Sequence, residues 1–441
     1  MKSVALHNLG CKVNAYEMDA MQQMLQEKGY NIVPFDERAD IYIINTCTVT
    51  NIADRKSRQM LHRARKQNPD AVVVAVGCYV QTDAENVQKD EAIDLAIGNN
   101  RKKDMAAILE KFLEERESGS KHDGSDDIIE INDTKEYEEM TLQKTAEHTR
   151  AYIKIQDGCN QFCSYCIIPY ARGRVRSRQE EDVLNEVKGL VAAGYQEIVL
   201  TGIHLSSYGI DRGEAELLRL IRKLQEIEGL RRIRLGSLEP RIITEEFARE
   251  LASLSKVCPH FHLSLQSGCD SVLKRMNRRY DSGEYYEKTQ LLRKYFRNPA
   301  ITTDVIVGFP GETEAFVRKV QFFEMHIFKY SRRHGTRAAE MEGQLTEAQK
   351  AARSAVLLEL EKEMSHKYRE SLIGTEVEVL LEESKEIGGQ RYWIGHTPQY
   401  VRVAVPAQDD AGRSNELVRG VAEGFLEDDV VLLRESASKK D

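Results

Sequence analysis

No stretch of this 441-residue chain is apolar for long enough to cross a bilayer, and its first residues, MKSVALHNLGCKVN, lack the charged-then-apolar order of a secretion signal. These two absences predict a cytosolic protein with no membrane attachment. An internal repeat of roughly 20 to 50 residues is also missing, which excludes a solenoid or propeller. Excess positive charge is lacking too, since the formal net charge is -8. Spread evenly, that deficit would argue against a nucleic-acid partner, but residues 114–139 alone hold eleven acidic and three basic side chains and so account for all of it. The remainder is near neutral, with basic clusters at Arg55, Lys56, Arg58, Arg63, Arg65 and Lys66 and at Arg172, Arg174, Arg176 and Arg178. RNA therefore stays permitted, although each cluster taken alone reads as a solvated helix or loop face.

What the chain does have is eight cysteines, and a reducing compartment turns them toward metal or redox chemistry rather than disulfides. Cys159, Cys163 and Cys166 stand together in DGCNQFCSYCIIP. Three thiolates on one loop can hold three irons of a cubane iron-sulfur cluster. The fourth iron is then open to chelate the amino and carboxylate groups of S-adenosylmethionine and to pass an electron to its sulfonium, which generates a carbon radical. A zinc knuckle is the competing reading, but structural zinc takes four ligands in closely spaced pairs and a fourth is missing nearby. A second set, Cys11 in NLGCKVN, Cys47 in IINTCTVT and Cys78 in AVGCYVQ, follows three apolar segments. The carboxyl ends of strands in a parallel α/β sheet share one edge, so these thiols are expected to meet. Any one of them alone reads equally well as a small core residue. Cys258 and Cys269 fall outside both sets and are expected to be core or surface thiols.

Apolar runs alternate with helical patterns over the first hundred residues, which predicts an α/β unit with a parallel sheet, Rossmann-like in type. Gly29 sits where a helix C-cap belongs. Residues 114–144 are polar and acidic and read as a flexible or loosely structured linker. A second alternation begins near residue 150, with strands AYIKIQ, EIVLTG, RIRLGS, FHLSLQ, TTDVIVGF and MHIFKYS. Six strands suit a partial (β/α)6 barrel of the TIM type, because a complete one typically needs about 250 residues. A long polar helix from about Leu345 to Arg369 leads to the short strands EVEVLL, RYWIGH, YVRVAV and VVLL, a small all-β barrel. The expected domains are 1–113, the linker 114–144, a core domain 145–371 and a terminal barrel 372–437.

With two three-cysteine sets in this arrangement, the chain resembles the radical S-adenosylmethionine methylthiotransferase family over essentially its whole length. The pieces that carry the likeness are NLGCKVN, INTCTVT, VGCYVQ, DGCNQFCSYCIIPYARGRVRSR, LSLQSGCDSVLKRMNRRY and TTDVIVGFPGET. LGCKVN is most similar to the branch that modifies threonylcarbamoyladenosine beside the tRNA anticodon; other branches modify isopentenyladenosine or a ribosomal-protein aspartate. The resemblance implies two 4Fe-4S clusters, an auxiliary one on Cys11, Cys47 and Cys78 that carries the sulfur and a radical-generating one on Cys159, Cys163 and Cys166. It implies two S-adenosylmethionine molecules, one methylating the sulfur and one giving the radical that takes hydrogen from carbon 2 of the adenine, a position acid-base chemistry cannot reach. Tyr165 is implied to touch the cofactor adenine, and Thr201, Gly202, Glu239 and the VGFPGE loop around Gly308 to cradle the cofactor. The tail resembles an RNA-binding TRAM barrel, with Arg391, Tyr392, Trp393, Tyr400 and Arg402 as candidates to grip the anticodon arm, although Trp393, the one tryptophan, reads at least as well as a core residue, while the arginines at 172 to 178 are candidates for phosphates. A reducing electron donor and a sulfur donor are implied partners. One departure is a short segment between Thr313 and Met325, which leaves only about eleven residues for a barrel helix. The rival of another class is a non-catalytic RNA-binding protein with structural clusters.

Overall fold

The computed structural model describes residues 2–124, 126–144, 149–309, 314–407 and 412–436. Residues 145–148 of the core domain, residue 437 of the terminal barrel and residues 310–313 of the VGFPGET stretch lie outside the described residues. The first apolar segments form a parallel sheet of β1 (Ser3–Asn8), β2 (Asn31–Val33), β3 (Ile41–Thr46), β4 (Val72–Gly77) and β5 (Leu95–Ile97) in the order β2-β1-β3-β4-β5. β3 and β4 are buried along their whole length, as central strands covered on both faces must be. Strand order reverses between β1 and β3, the switch point outside which ligands bind in such sheets. Helix Lys12–Glu27 follows β1 and ends at Gly29, whose φ of +82° is the left-handed stop the sequence calls for. Helix Asn51–Gln67 follows β3, capped by Thr50, whose hydroxyl accepts from Ala53 N at 3.1 Å. Helix Cys78–Thr82 follows β4.

Beyond helix Met105–Glu117 the acidic segment is not the loose linker its composition predicts. It is irregular but packed, and Ile131, Met140 and Leu142 are buried. Gln81 donates to the Ile129 carbonyl at 2.8 Å on the first domain, while Tyr137 donates to the Lys154 carbonyl at 2.8 Å on the second. A few well-spaced apolar residues, placed where two domains meet, tie down a strand of chain whose average composition suggests disorder.

The second domain carries the six parallel strands: β6 (Arg150–Asp157), β8 (Glu197–Gly202), β9 (Arg232–Leu235), β10 (His260–His262), β11 (Ala300–Val307) and β12 (Glu324–Lys329), with the two-residue β7 (Arg176–Ser177) antiparallel at the edge of β6. Isolated parallel bridges Ile233 to Val257 and Leu238 to Leu263 join the two ladders between β9 and β10. The last barrel helix, Glu314–Val320, has only seven residues, which is the shortened segment. Helix Glu347–Glu370 then leads to a closed barrel of β13 (Glu376–Ile387), β14 (Gln390–His396), β15 (Arg402–Pro406), β16 (Leu417–Glu427) and β17 (Val430–Glu435). β16 is absent from the sequence reading because Gly420 and Gly424 look like breakers, yet both sit at positions where β17 crowds or bulges against the strand. Among the described residues no helix is long and apolar enough to cross a membrane.

Candidate active site

β6 ends at Gly158, and the chain from Cys159 to Cys166 forms a loop whose ends are pinned together. The Cys159 amide donates to the Gly173 carbonyl at 3.0 Å, and a Cβ at Gly158 would fall 1.8 Å from the Arg174 carbonyl oxygen, so only glycine, here with φ +69°, fits that crossing. The middle of the loop is held from across the barrel: Ser164 N donates to the Met276 carbonyl at 3.0 Å, and Asn277 donates to the carbonyls of Gln161 (3.3 Å) and Phe162 (3.0 Å). All three thiols are half-buried. Burial pushes the Cys159 thiol up to about 11 and the Cys166 thiol up to about 12.

The other trio gathers as the sheet topology requires, at the ends of β1, β3 and β4. A Cβ on Gly10 would meet Cys47 Cβ at 3.1 Å and Sγ at 3.2 Å, so the turn bearing Cys11 lies directly on Cys47. Cys78 and Cys11 are in turn charge neighbours of Cys47. Cys11 is reachable by water but crowded by protein, and this desolvation raises its thiol. Together with the adjacent Lys12, which is also accessible, it lines the wall of a recess rather than the outer surface. Cys47 is raised by burial to about 12.

Both trios fit iron-sulfur clusters better than single ions. Zinc at about 2.3 Å from each thiolate would draw the sulfurs to about 3.8 Å. Among the described residues the set with all ligand atoms within 4.8 Å of one another is His262, Asp304 and His326, and neither cysteine trio is gathered that tightly. The charge beneath Cys11, Cys47 and Cys78 fits as well. Glu17 and Asp157 are buried with Lys102, Lys154, Arg172 and Arg176, which leaves cations in excess and suits added thiolates. Asn99 joins the trios, donating to Cys78 Sγ at 3.5 Å and to the Ala171 carbonyl at 2.7 Å, in the short helix that follows the 159–166 loop.

Residues 3–98 match the model of the uncharacterized protein family UPF0004, and residues 153–323 match that of the Radical SAM superfamily. The chain is 40% identical over 419 residues, covering 93% of itself and 92% of the relative, to threonylcarbamoyladenosine tRNA methylthiotransferase MtaB of Bacillus subtilis (strain 168). This chain belongs to the MtaB branch of the radical S-adenosylmethionine methylthiotransferases. MtaB of Aquifex aeolicus is 39% identical over 88% of the chain and 95% of the relative. A tRNA-2-methylthio-N(6)-dimethylallyladenosine synthase of Moorella thermoacetica is 36% identical over 86% and 87%. Among solved structures, the radical S-adenosylmethionine methyltransferase TsrM of Kitasatospora setae superposes with a TM-score of 0.54 at 17% identity, covering 74% of this chain and 75% of that one, a likeness of fold.

Around Cys159, Cys163 and Cys166 of this methylthiotransferase, the residues expected to cradle the cofactor fall on the carboxyl-end rim of the barrel. Thr201 is buried at the end of β8, and Gly202 lies against Gln156, whose Oε1 accepts from His204 N at 2.7 Å. Burial raises the Glu239 carboxyl, with Arg278 and Arg241 pulling the other way. Tyr165 packs edge-on to Phe309 at 6.3 Å between ring centres. Gly308, with φ +94°, faces the Lys350 side chain, so its lack of a Cβ has a packing cause. The residue that sequence reasoning missed is Arg278, which donates to Cys163 Sγ at 3.3 Å and is a charge neighbour of Cys159, Cys166, Tyr165, His204 and Glu239. Burial, then Arg278, lowers His204 to about 4 and leaves a neutral imidazole whose buried Nε2 has no partner among the described residues.

Two expectations about RNA contacts are corrected. Arg172, Arg176 and Arg178 are buried in ion-pair networks and are not placed to meet phosphates; Arg174 alone of that run is exposed, lying over the Phe162 ring at 4.5 Å. Of the five barrel candidates, Tyr392 and Trp393 are buried, Trp393 inside the core of the small barrel. Tyr400 is stacked on His396 (4.5 Å) and His260 (5.3 Å) beneath Arg150 and Arg234, which makes it part of the joint between the two barrels. Arg402 pairs with Asp429 at 3.5 Å, and Arg391 is exposed.

Proposed function

We propose that this enzyme attaches a methylthio group to carbon 2 of threonylcarbamoyladenosine beside the anticodon of tRNA. The observation that carries the reading is the bridge through Asn99 and the Ile168–Arg172 helix, which fastens the sulfur-side trio to the segment that follows the radical-side trio. Cys11, Cys47 and Cys78 would hold the auxiliary cluster, and Cys159, Cys163 and Cys166 the cluster that binds S-adenosylmethionine. When bound, these groups supply the one-electron chemistry and the sulfur that an unactivated ring carbon needs. The chain's own residues orient and insulate: Arg278 compensates thiolate charge at Cys163, Arg172 does so beneath the other trio, and Tyr165 with Phe309 closes an apolar wall beside the loop. The tRNA has an entry surface in helix Asn51–Gln67, which starts three residues past Thr48 and exposes Arg55, Lys56, Arg58 and Lys66 next to the half-exposed Val49 and Ile52. External reductant and sulfur donors complete the reaction.

Anaerobically reconstituted protein should hold about eight irons per chain and convert threonylcarbamoyladenosine tRNA, but not dimethylallyladenosine tRNA, to its methylthio form by nucleoside mass spectrometry. Half the iron with no product, or product only from the dimethylallyl substrate, would overturn the reading.

A further inference from the structure

Lys12 follows Cys11 in the chain and shares its recess, yet among the described residues its ammonium has neither hydrogen bond nor ion pair. Its charge neighbours are Arg234 and Arg150 on the barrel strands and, of the other sign, Asp304, and it is itself a charge neighbour of His260 and His326. Both guanidiniums already have protein carboxylates, Arg150 with Glu382 at 2.9 Å and Arg234 with Glu197 at 2.7 Å. Asp304 is shared in turn: its Oδ2 lies 3.3 Å from His262 Nε2, in a group with His326 whose ligand atoms all fall within 4.8 Å of one another. His262 Nε2 is buried and makes no hydrogen bond among the described residues. The recess thus offers one uncommitted cation beside an imidazole nitrogen without a hydrogen bond and a carboxylate close to it, while both neighbouring guanidiniums are already neutralised by protein carboxylates. A divalent cation on His262, Asp304 and His326 would have the unpaired Lys12 ammonium as a charge neighbour, so an anion with polar attachments suits the place better.

We infer that Lys12, with His262, Asp304 and His326, forms a subsite for the carboxylate-bearing side arm on N6 of the substrate adenosine. The inference rests on the substrate reading above and deepens it. A threonylcarbamoyl arm ends in a carboxylate for Lys12 and carries a hydroxyl and urea N–H groups for the imidazole and carboxylate pair. A dimethylallyl arm has none of these and would leave the ammonium desolvated without a partner, which is how a polar subsite rejects an apolar analogue. N6 is attached to carbon 6 of the rigid ring that contains carbon 2, so an arm anchored at Lys12 holds the reacting carbon beside the neighbouring Cys11. Lys12 acts here as a specificity and positioning residue.

The test uses the reconstituted full chain with three tRNAs, bearing threonylcarbamoyladenosine, its carboxamide analogue and dimethylallyladenosine. The native protein should favour the carboxylate over the carboxamide by about tenfold to a hundredfold in kcat/KM, the range for a hydrogen bond to a charged group. Lys12→Met should erase that preference while iron content stays at the native level, and Lys12→Arg should keep much of it. A Lys12→Met protein that still distinguishes carboxylate from carboxamide would overturn the subsite. So would a divalent ion bound in addition to the cluster iron and lost in His326→Ala. If the native protein turns over only the dimethylallyl tRNA, the substrate reading itself has failed, a result distinct from native activity on threonylcarbamoyladenosine that Lys12→Met leaves untouched.

Discussion

At the scale of single residues, the six cysteines were legible in advance because their chemistry is written in spacing and in position after apolar strands. The arginines that serve them were not. Arg278 and Arg172 belong to basic runs whose members look alike in sequence, and only the fold decides that Arg172 turns inward while Arg174 faces water. Replacing Arg278 by Ala should lower methylthiolation about tenfold to a hundredfold, as for loss of a charge-assisted hydrogen bond, with cluster iron retained and partial rescue by Arg278→Lys in the same tRNA assay. Cys78→Ala should behave differently, losing about half the iron and all product, while S-adenosylmethionine cleavage by the 159–166 site survives. Of the aromatic candidates, Trp393 takes the core position that was one of its two readings, and Tyr392 joins it because a small barrel needs large apolar side chains for its own core.

At the scale of elements, strands with clean apolar runs were legible and those broken by glycine were not, as β16 shows. The acidic strap was misread because composition averages over a segment, whereas anchoring depends on a few side chains. His122 is one such anchor, bonded to Glu115 at 2.5 Å and Asp127 at 2.7 Å. Burial works to lower its pKa, but the two carboxylates outweigh it and the net direction is up. A folded pKa above the unfolded value means the clamp contributes fully below about pH 6.5 and weakens as the pH rises through the folded value. Hydrogen exchange over residues 118–124 should accordingly be slower at pH 6 than at pH 8.5 after correction for intrinsic rates, and His122→Ala should remove the difference.

At the scale of the molecule, the three domains are joined by buried ions. Burial tends to raise the Glu17 carboxyl, but Arg172, Lys102 and Lys154 outweigh it and hold it well below the usual carboxylate range. Since that folded pKa lies below the unfolded value of about 4.3, the contribution of Glu17 is complete above that pH and is lost only as the solution is acidified further toward the folded value. The radius of gyration by scattering should therefore not change between pH 7 and pH 5. Glu17→Ala, which strands buried cations, should cost about 3 to 5 kcal/mol in urea unfolding. A second tie lies on the opposite flank, where Arg333 reaches Thr48 at 2.7 Å and Asn51 at 2.8 Å.

Parting the first two domains would unpair Glu17 from Lys154 and Arg172 while leaving it Lys102, and an opening cost of about 4 kcal/mol leaves roughly one molecule in a thousand ajar at any instant. A hinge is thus a poor route for traffic. Spent nucleoside must leave, and fresh cofactor arrive, through the permanent doorway that already lets water reach Cys11 and Lys12. On the proposed function the nucleotide to be modified would have to use that opening as well, so cofactor and tRNA would compete for one entrance instead of waiting on a swing of the walls.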